Sequence, residues 1–273
     1  MNVLVLNYEY PPIGGGGGAV TKELCSKIVE NGNNVTVVTM SYKDLSCEEV
    51  DCGIKIVRVK CWRRKKRVCY PWEQLTYCIN AYRYIENNID LKNIDFVHCH
   101  FIIPTGIVAL GLKKKYNLKY IITAHGSDVI GHNKNRFKLL YKVVKPIWQK
   151  ILKNANVITA PSQFLIDEIQ ENYSGGNIRL IPNGINVSEY RIDTKKKNII
   201  TLSRLQKSKG IQDLIEACIK LDLNGWIVEI LGDGPYRKTL ELMVKKNNLQ
   251  NSVIFHGHID GQKKIDFLST AGA

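Results

Sequence analysis

The sequence predicts an α/β protein of two doubly wound domains, the second of them incomplete. Short runs that are almost wholly apolar, such as "VLVL" and "VTVVTM", alternate with segments whose apolar residues recur at helical spacing. Such runs are the mark of strands buried on both faces of a parallel sheet. The alternation lapses once, in "PNGINVSEYRIDTKKKN" (Pro182 to Asn198), and then restarts; turn residues and charge of this kind mark an interdomain linker. A chain of 273 residues, 44% hydrophobic and 23% charged, suits one large soluble domain or two ordinary ones.

Taken in order, a first strand over Val3–Asn7 leads to a helix from about Ala19 to Glu30, with Val20, Leu24 and Ile28 on one face and Gly32 as its stop. Strands follow at Asn34–Met40 and Ile54–Val59, then a helix over Pro71–Glu86 and a strand over Asp95–His100. The pattern continues with a helix over Pro104–Lys115, the strand "KYIITAH", a helix over Arg136–Lys153, the strand "NVITAP", a helix over Gln163–Asn172 and "NIRLIP". Pro146 is expected to kink or interrupt its helix. The first domain is assigned to residues 1–187 and the second to 188–273. The second reads as three strand and helix units: "NIITLS" with Gly210–Leu221, "GWIVEILG" with Tyr236–Lys246, and "SVIFHG" with Lys263–Ser269. Sheets commonly hold about five or six strands. A three-stranded series that stops at Ala273 therefore suggests a truncated chain.

No window approaches the roughly 18 continuous apolar residues of a membrane span, and Met1 leads straight into a strand pattern. The expected location is the cytoplasm, where the eight cysteines stay as thiols. The spacing of Cys47, Cys52, Cys61, Cys69 and Cys78, with His98-Cys99-His100, matches no common zinc knuckle, and no metal is expected. A formal charge of +14 points to an anionic partner. The densest basic run, Lys60 to Arg67 with Trp62 in it, feeds a helix whose Trp72, Leu75, Ile79 and Tyr82 share one side. A basic loop beside an aromatic amphipathic helix suits the inner face of an anionic membrane; a solvated loop beside a core helix is the alternative. In "NRFKLLYKVVKPIWQKILK" a second stripe is expected, with Lys138, Lys142 and Lys145 on one side and Leu140, Val144, Ile147 and Ile151 on another. With no helix-turn-helix, zinc-finger, RNP or KH signature, nucleic acid is not expected as a partner.

Gly14 to Gly18 fall between a buried strand and a helix, where ligands of doubly wound sheets settle. Without Cβ atoms, Gly15, Gly16 and Gly17 let the backbone approach a ligand, a phosphate or an acceptor, and turn N–H groups towards it; a flexible surface loop is the alternative. A nicotinamide cofactor would want an acid at the end of the second strand, but Met40 and Ser41 stand there; a Walker loop would need a Gly-Lys pair followed by Ser or Thr. In "LSRLQKSKG", Arg204 and Lys209 stand at a strand end and a helix start, where two cations can hold a diphosphate. In "LGDGPYRKTLE", Gly232 and Gly234 bracket Asp233 in a tight turn that lets a ligand lie against the backbone. Two such domains joined by a linker describe a cleft for a nucleotide diphosphate compound.

The chain resembles the retaining glycosyltransferases of family 4, whose paired Rossmann-like domains form the GT-B fold. The resemblance runs over essentially the whole chain, through "YPPIGGGGGAV", "HCHFIIPTG", "TAHGSDV", "APSQFLIDEI", "IPNGIN", "LSRLQKSKG", "LGDGPYRKTLE" and "VIFHGHIDGQKKIDFLSTA", in the family's order. In "IPNGIN", Asn186 stands where the family commonly has Asp. The family's two glutamates, seven residues apart and in contact with the donor, fall beyond the segment where this sequence ends.

The resemblance implies transfer of a sugar from a nucleotide-sugar donor to an acceptor hydroxyl, sugar or lipid-linked, with retention and with neither metal nor further cofactor. It implies Arg204 and Lys209 at the departing diphosphate, with Gly232 and Gly234 on the donor side, and His125 near the reacting sugar. The acceptor is expected on the first domain, with His98 and His100 as candidate contacts and Asp128 either orienting a hydroxyl or capping the next helix. A nucleotide-sugar epimerase of the same fold, and a remnant that binds without catalysis, are the rival readings.

Overall fold

The structure is a computed structural model that describes residues 1–132, 138–187, 190 and 193–273. Two compact units divide it, Met1–Ile185 and Asn186–Ala273.

The first unit is built on an eight-stranded sheet. Its strands are β1 (Asn2–Leu6), β2 (Asn34–Met40), β3 (Glu48–Asp51), β4 (Ile54–Val59), β5 (Phe96–His100), β6 (Tyr120–Thr123), β7 (Val157–Ala160) and β8 (Ile178–Leu180). They lie in the order β3-β4-β2-β1-β5-β6-β7-β8, every pair parallel except β3 with β4. The helices are α1 (Gly16–Glu30), α2 (Pro71–Asn88), α3 (Thr105–Tyr116), α4 (Lys138–Asn154) and α5 (Gln163–Gln170). Strand order reverses between β1 and β5, so the loops after those two strands open the crevice where such sheets take ligands.

Alternation along the strands explains the layers. Val3 and Val5 join Val35, Val37, Ile54 and Ile56 in one core, with Cys25 and Ile28 of α1 against it. Leu4 and Leu6 turn the other way, into a larger core with Tyr77, Ala81 and Ile85 of α2 and Val108 and Leu112 of α3. Each face is therefore sealed by helices, which accounts for strands that read as nearly continuous apolar runs.

Three elements depart from the sequence expectation. First, α1 begins at Gly16, inside the glycine run, three residues before the expected start at Ala19. Side chains outweigh the poor helix propensity of glycine there: Asn7 Nδ2 donates to Thr21 Oγ1 (2.7 Å), and Thr21 Oγ1 donates to Gly17 O (2.8 Å). Second, "EEVD" forms β3, an edge strand with no apolar alternation to announce it. It pairs through a two-residue turn at Cys52 and Gly53, whose φ values of 51° and 80° suit the tight hairpin. Third, α4 runs through Pro146 as one helix, with Trp148, Ile151 and Leu152 beyond it buried in the core. Of the stripe expected on α4, the side chains of Lys138, Leu140 and Lys142 lie outside the described residues; Lys145 donates to Asn172 Oδ1 at 3.0 Å.

The second unit has strands β9 (Asn198–Leu202), β10 (Ile227–Leu231) and β11 (Val253–Gly257), parallel in the order β11-β10-β9. Its helices are α6 (Ile211–Lys220), α7 (Arg237–Lys246) and α8 (Gly261–Ser269). Leu205, Ile211, Ile215, Val228, Ile230, Leu240 and Val244 form its core. No helix among the described residues is long and apolar enough to cross a membrane.

Candidate functional site

In the first unit the carboxyl ends of β1, β5 and β6 bring together the glycine turn, three histidines and an aromatic pair. Gly15 caps α1 without any side-chain cap, and no acidic residue sits in the helix's first turn. The helix itself therefore supplies no charge against its positive dipole end; an acid from outside it, Glu9, stands beside the turn, with Oε2 2.9 Å from where a Cβ would stand on Gly14. Nothing lies within 4 Å of where a Cβ would stand on Gly15 or Gly16. Gly17 and Gly18 differ, because a Cβ on Gly17 would come within 2.5 Å of Phe101 Cζ and one on Gly18 within 2.3 Å of Glu9 O. The turn presents open backbone at 15 and 16, while 17 and 18 are glycine because the chain itself passes too closely.

His125, half-buried, is braced from several sides. Its N–H donates to Asp128 Oδ1 (2.9 Å), its Nε2 lies 3.1 Å from His100 Nδ1, and the Phe101 ring lies against it at 4.5 Å between centroids. Tyr8 packs on the far side of Phe101 at 4.9 Å. Phe101 has φ of +74°, a conformation rare for an aromatic residue. Its neighbours over-determine it: Phe101 N donates to Thr123 O, Ile102 N to Asp128 Oδ2, and Thr105 Oγ1 to the carbonyls of His100 and Phe101. Strain of this kind gathers at sites where a side chain must be aimed. Burial lowers the pKa of each histidine: His98 to about 4, His100 well below its ordinary value, and His125 also downward, with Asp128 opposing the fall. The cluster is therefore neutral at physiological pH.

The basic run does not behave as one solvated patch. Arg63 is buried and donates to the carbonyls of Tyr8, Lys65 and Lys66, each at 3.1 Å, while Gly14 N donates to Lys66 O (2.8 Å). Glu73 of α2, fully buried, accepts from Arg64 N (3.0 Å) and Tyr70 N (2.9 Å). These two side chains shape the loop and fasten it to the glycine turn, leaving Arg64, Lys65, Lys66 and Arg67 exposed.

In the second unit the site candidates share one loop system. Arg204 and Lys209 are both exposed, and neither side chain has a hydrogen-bond or ion-pair partner among the described residues. Arg204 directly follows Ser203, whose N–H donates to Leu231 O (3.1 Å), and precedes Leu205, whose N–H donates to Asp233 O (3.0 Å). Gly232 and Gly234 make this pairing possible. A Cβ on Gly232 would stand 1.8 Å from Ser203 O, and one on Gly234 would stand 2.2 Å from Leu205 O. Lys209 ends a single 3-10 turn (Lys207–Lys209) before Gly210 turns the chain into α6 with φ of 71°.

The profile of Glycosyltransferase Family 4 matches residues 14–189, more than half of the chain. The chain belongs to glycosyltransferase family 4. A second profile, Glycosyl transferases group 1, matches residues 185–273. Among relatives of this family 4 chain, an uncharacterized glycosyltransferase of Methanocaldococcus jannaschii is 30% identical over 192 residues, which is 70% of this chain but half the length of that relative. The N-acetyl-alpha-D-glucosaminyl L-malate synthase of Bacillus anthracis is 25% identical over 94% of this chain and 68% of its own. Sucrose-phosphate synthase from Thermosynechococcus elongatus superposes with a TM-score of 0.79 at 18% identity, covering 99% of this chain and 73% of that one. An Anabaena protein solved with UDP and glucose superposes at 0.69 and 14% identity, covering 95% and 70%. Likeness at these identities speaks for the fold, which is GT-B.

Several assignments in the family 4 chain change with the geometry. His98 and His100 were expected to meet an acceptor, but both are buried: His98 Nε2 lies 2.8 Å from Thr123 Oγ1, and the His98 and His100 rings stack at 4.5 Å beneath His125. Asp128 accepts the His125 N–H on one carboxylate oxygen and the Ile102 N–H on the other, so it braces the loop around His125. Gly232 and Gly234 are required by the chain's own backbone, which passes too close to each for a Cβ. Asn7, Thr21 and Phe101 were not singled out as site residues, although a polar Asn ending an apolar strand was a readable sign.

Proposed function

We propose that this chain moves a sugar from a nucleotide-sugar donor to an acceptor hydroxyl with retention at the anomeric carbon, in glycan, glycolipid or cell-surface polysaccharide synthesis. The observation that carries the proposal is the Ser203–Lys209 loop, which offers two exposed cations on a segment locked to the glycine turn. As the bond from the anomeric carbon to the diphosphate breaks, its electron pair passes to a phosphate oxygen. Cations already in place for that charge lower the barrier without reorganising. The acceptor oxygen bonds the anomeric carbon on the face the diphosphate leaves, and its proton departs with the diphosphate. His125 is assigned to the donor sugar. The open backbone at Gly15 and Gly16, with the dipole of α1 behind it, is assigned to phosphate or acceptor. The UDP and glucose held by the Anabaena protein support a nucleotide-sugar donor.

Arg204→Ala and Lys209→Ala are each expected to lower turnover on the order of 10²-fold and to weaken UDP binding in calorimetry. Wild-type turnover in both variants would overturn the assignment. Product analysis separates transfer, which releases nucleoside diphosphate and lengthens the acceptor, from epimerisation, which isomerises the donor.

The acceptor is assigned to the first unit and to a lipid-linked class, with the protein peripheral on the cytoplasmic face of an anionic membrane. The support is an apolar face beside charge: Trp62 (74% exposed), Trp72 (50%), Leu75 (59%) and Ile79 (44%) stand next to the exposed cations of the pinned loop. A groove of about 340 Å³ runs along Leu75, Ile79 and Tyr82 of α2 to Ile107 and Val108 of α3. Interfacial helices combine these two features. Cosedimentation with phosphatidylglycerol vesicles at low salt, where attraction is strongest, tests it; no more binding than to phosphatidylcholine vesicles ends the membrane assignment.

A further inference from the structure

His100 touches no solvent and lies too deep to meet a substrate, yet it is the one side chain that hydrogen-bonds the ring of His125 among the described residues. Resting on the transfer reading, we propose that His100 is a positioning residue that fixes the proton of His125 on Nδ1, so that His125 meets the donor sugar as a hydrogen-bond donor.

The geometry leaves few arrangements. Around His100 stand His98 on its own strand, stacked at 4.5 Å, and His125 after β6, at 5.3 Å between ring centroids. Burial and both neighbouring histidines act against a charge on His100, so one of its nitrogens carries a proton and the other is bare. Its Nδ1 faces His125 Nε2 at 3.1 Å, and no protein group reaches its buried Nε2.

Two proton placements satisfy the 3.1 Å contact. If His125 donated, His100 would keep its own proton on Nε2, as a buried N–H with no protein acceptor. If His100 donates from Nδ1, its Nε2 is a bare nitrogen. Among backbone groups an orphaned buried N–H is rarer than an under-satisfied carbonyl, and the same preference carried over to the ring nitrogens favours the second placement. His125 Nε2 then accepts, and the proton of its neutral ring must sit on Nδ1.

His98 does not compete for this bond. Thr159 Oγ1 donates to Ile122 O (3.3 Å), so it accepts from Thr123 Oγ1 (2.8 Å), which in turn accepts from His98 Nε2 (2.8 Å). That directed chain ends on a backbone carbonyl and leaves His98 only its ring face to offer His100. On the other side, Asp128 holds the His125 backbone and Phe101 packs its ring. Orientation is thus set by other groups, and what His100 adds is the choice of tautomer. Mis-set histidine tautomers in a serine-protease triad cost up to about 10⁴-fold in turnover, so the choice has catalytic weight.

The test is the ring ¹⁵N–¹H correlation spectrum of protein labelled at histidine, at pH 7.5. We expect His125, identified by its loss in His125→Asn, to show a protonated Nδ1 and a bare Nε2. His100→Leu should move His125 toward the Nε2-protonated form and lower kcat on the order of tenfold or more, with the KM for donor little changed. His100→Asn, whose amide N–H can take the place of Nδ1–H, should restore both. An Nε2-protonated His125 in the wild type, or an unchanged His125 pattern in His100→Leu, overturns the proposal. If His100→Leu fails to fold, the wild-type spectrum still decides. Because the spectrum needs no turnover, and UDP binding at Arg204 and Lys209 is measured apart from it, failure here is distinct from failure of the transfer reading.

Discussion

In the first unit, Gly15 and Gly16 leave open space where a Cβ would stand; in the second, Gly232 and Gly234 have that space filled by the carbonyl oxygens of Ser203 and Leu205. Both turns follow a buried strand and precede a helix, and on paper both read as ligand cradles. The difference teaches that a glycine can be required by an outside molecule or by the chain itself. Only what surrounds its Cα separates the two cases. The second turn holds the segment that carries Arg204 against the end of β10.

The largest expected effect falls on the turn packed against its own chain. Gly232→Ala or Gly234→Ala would push a methyl group into a backbone carbonyl that cannot swing aside, costing on the order of 4 kcal/mol. Calorimetric unfolding should show the transition of the second unit lost or strongly lowered. A near-wild-type transition would break the comparison outright.

Acid should weaken the first unit through its buried histidines. In the unfolded chain these rings take up protons as the pH falls through about 6.5. The folded chain resists, down to about pH 4 for His98 and with lowered values for His100 and His125. Their stabilising contribution is therefore whole above the unfolded value and is lost as pH falls toward the folded one, by about 1.4 kcal/mol per pH unit for each ring. Denaturant midpoints of wild type and His98→Gln from pH 7 to 4.5 check this, since the variant should lose less; parallel curves would refute the buried neutral ring.

Smaller effects sharpen the contrast within the glycine run. Gly17→Ala must displace the Phe101 ring and is expected to cost about 2 kcal/mol and some of the activity that depends on His125. Gly16→Ala, at the start of α1 with nothing above it, should leave stability unchanged or raise it by about 0.5 kcal/mol. If it also lowers activity, position 16 faces a ligand. Unchanged activity would make both glycine turns structural.

Much of the scaffold was legible. The strands at Asn34–Met40 and Ile54–Val59 end where the sequence places them, because segments this rich in β-branched residues favour strand. β3 was not legible, since acids carry no strand signal and its pairing comes from the hairpin turn. The start of α1 lies three residues before the point that helix propensity indicates, because Asn7 and Thr21 act on it from 9 and 5 residues away. The "TAHGSDV" motif singles out His125, and the structure stands it just after β6 against Phe101 and His100. That His98 and His100 lie beneath it could not be read from spacing, because burial at a strand end depends on which loops close over it.

The loop that follows β4 has a division of labour built into it. Its path is dictated by Arg63 and Glu73, two residues turned inward, while Arg64, Lys65, Lys66 and Arg67 contribute side chains to solvent and little to shape. The number and sign of its outward charges can therefore drift, or be redesigned, without redrawing the turn at Gly14 to which its backbone is tied. The charge this loop presents to solvent and the path of the glycine turn are thus separately adjustable quantities in this chain.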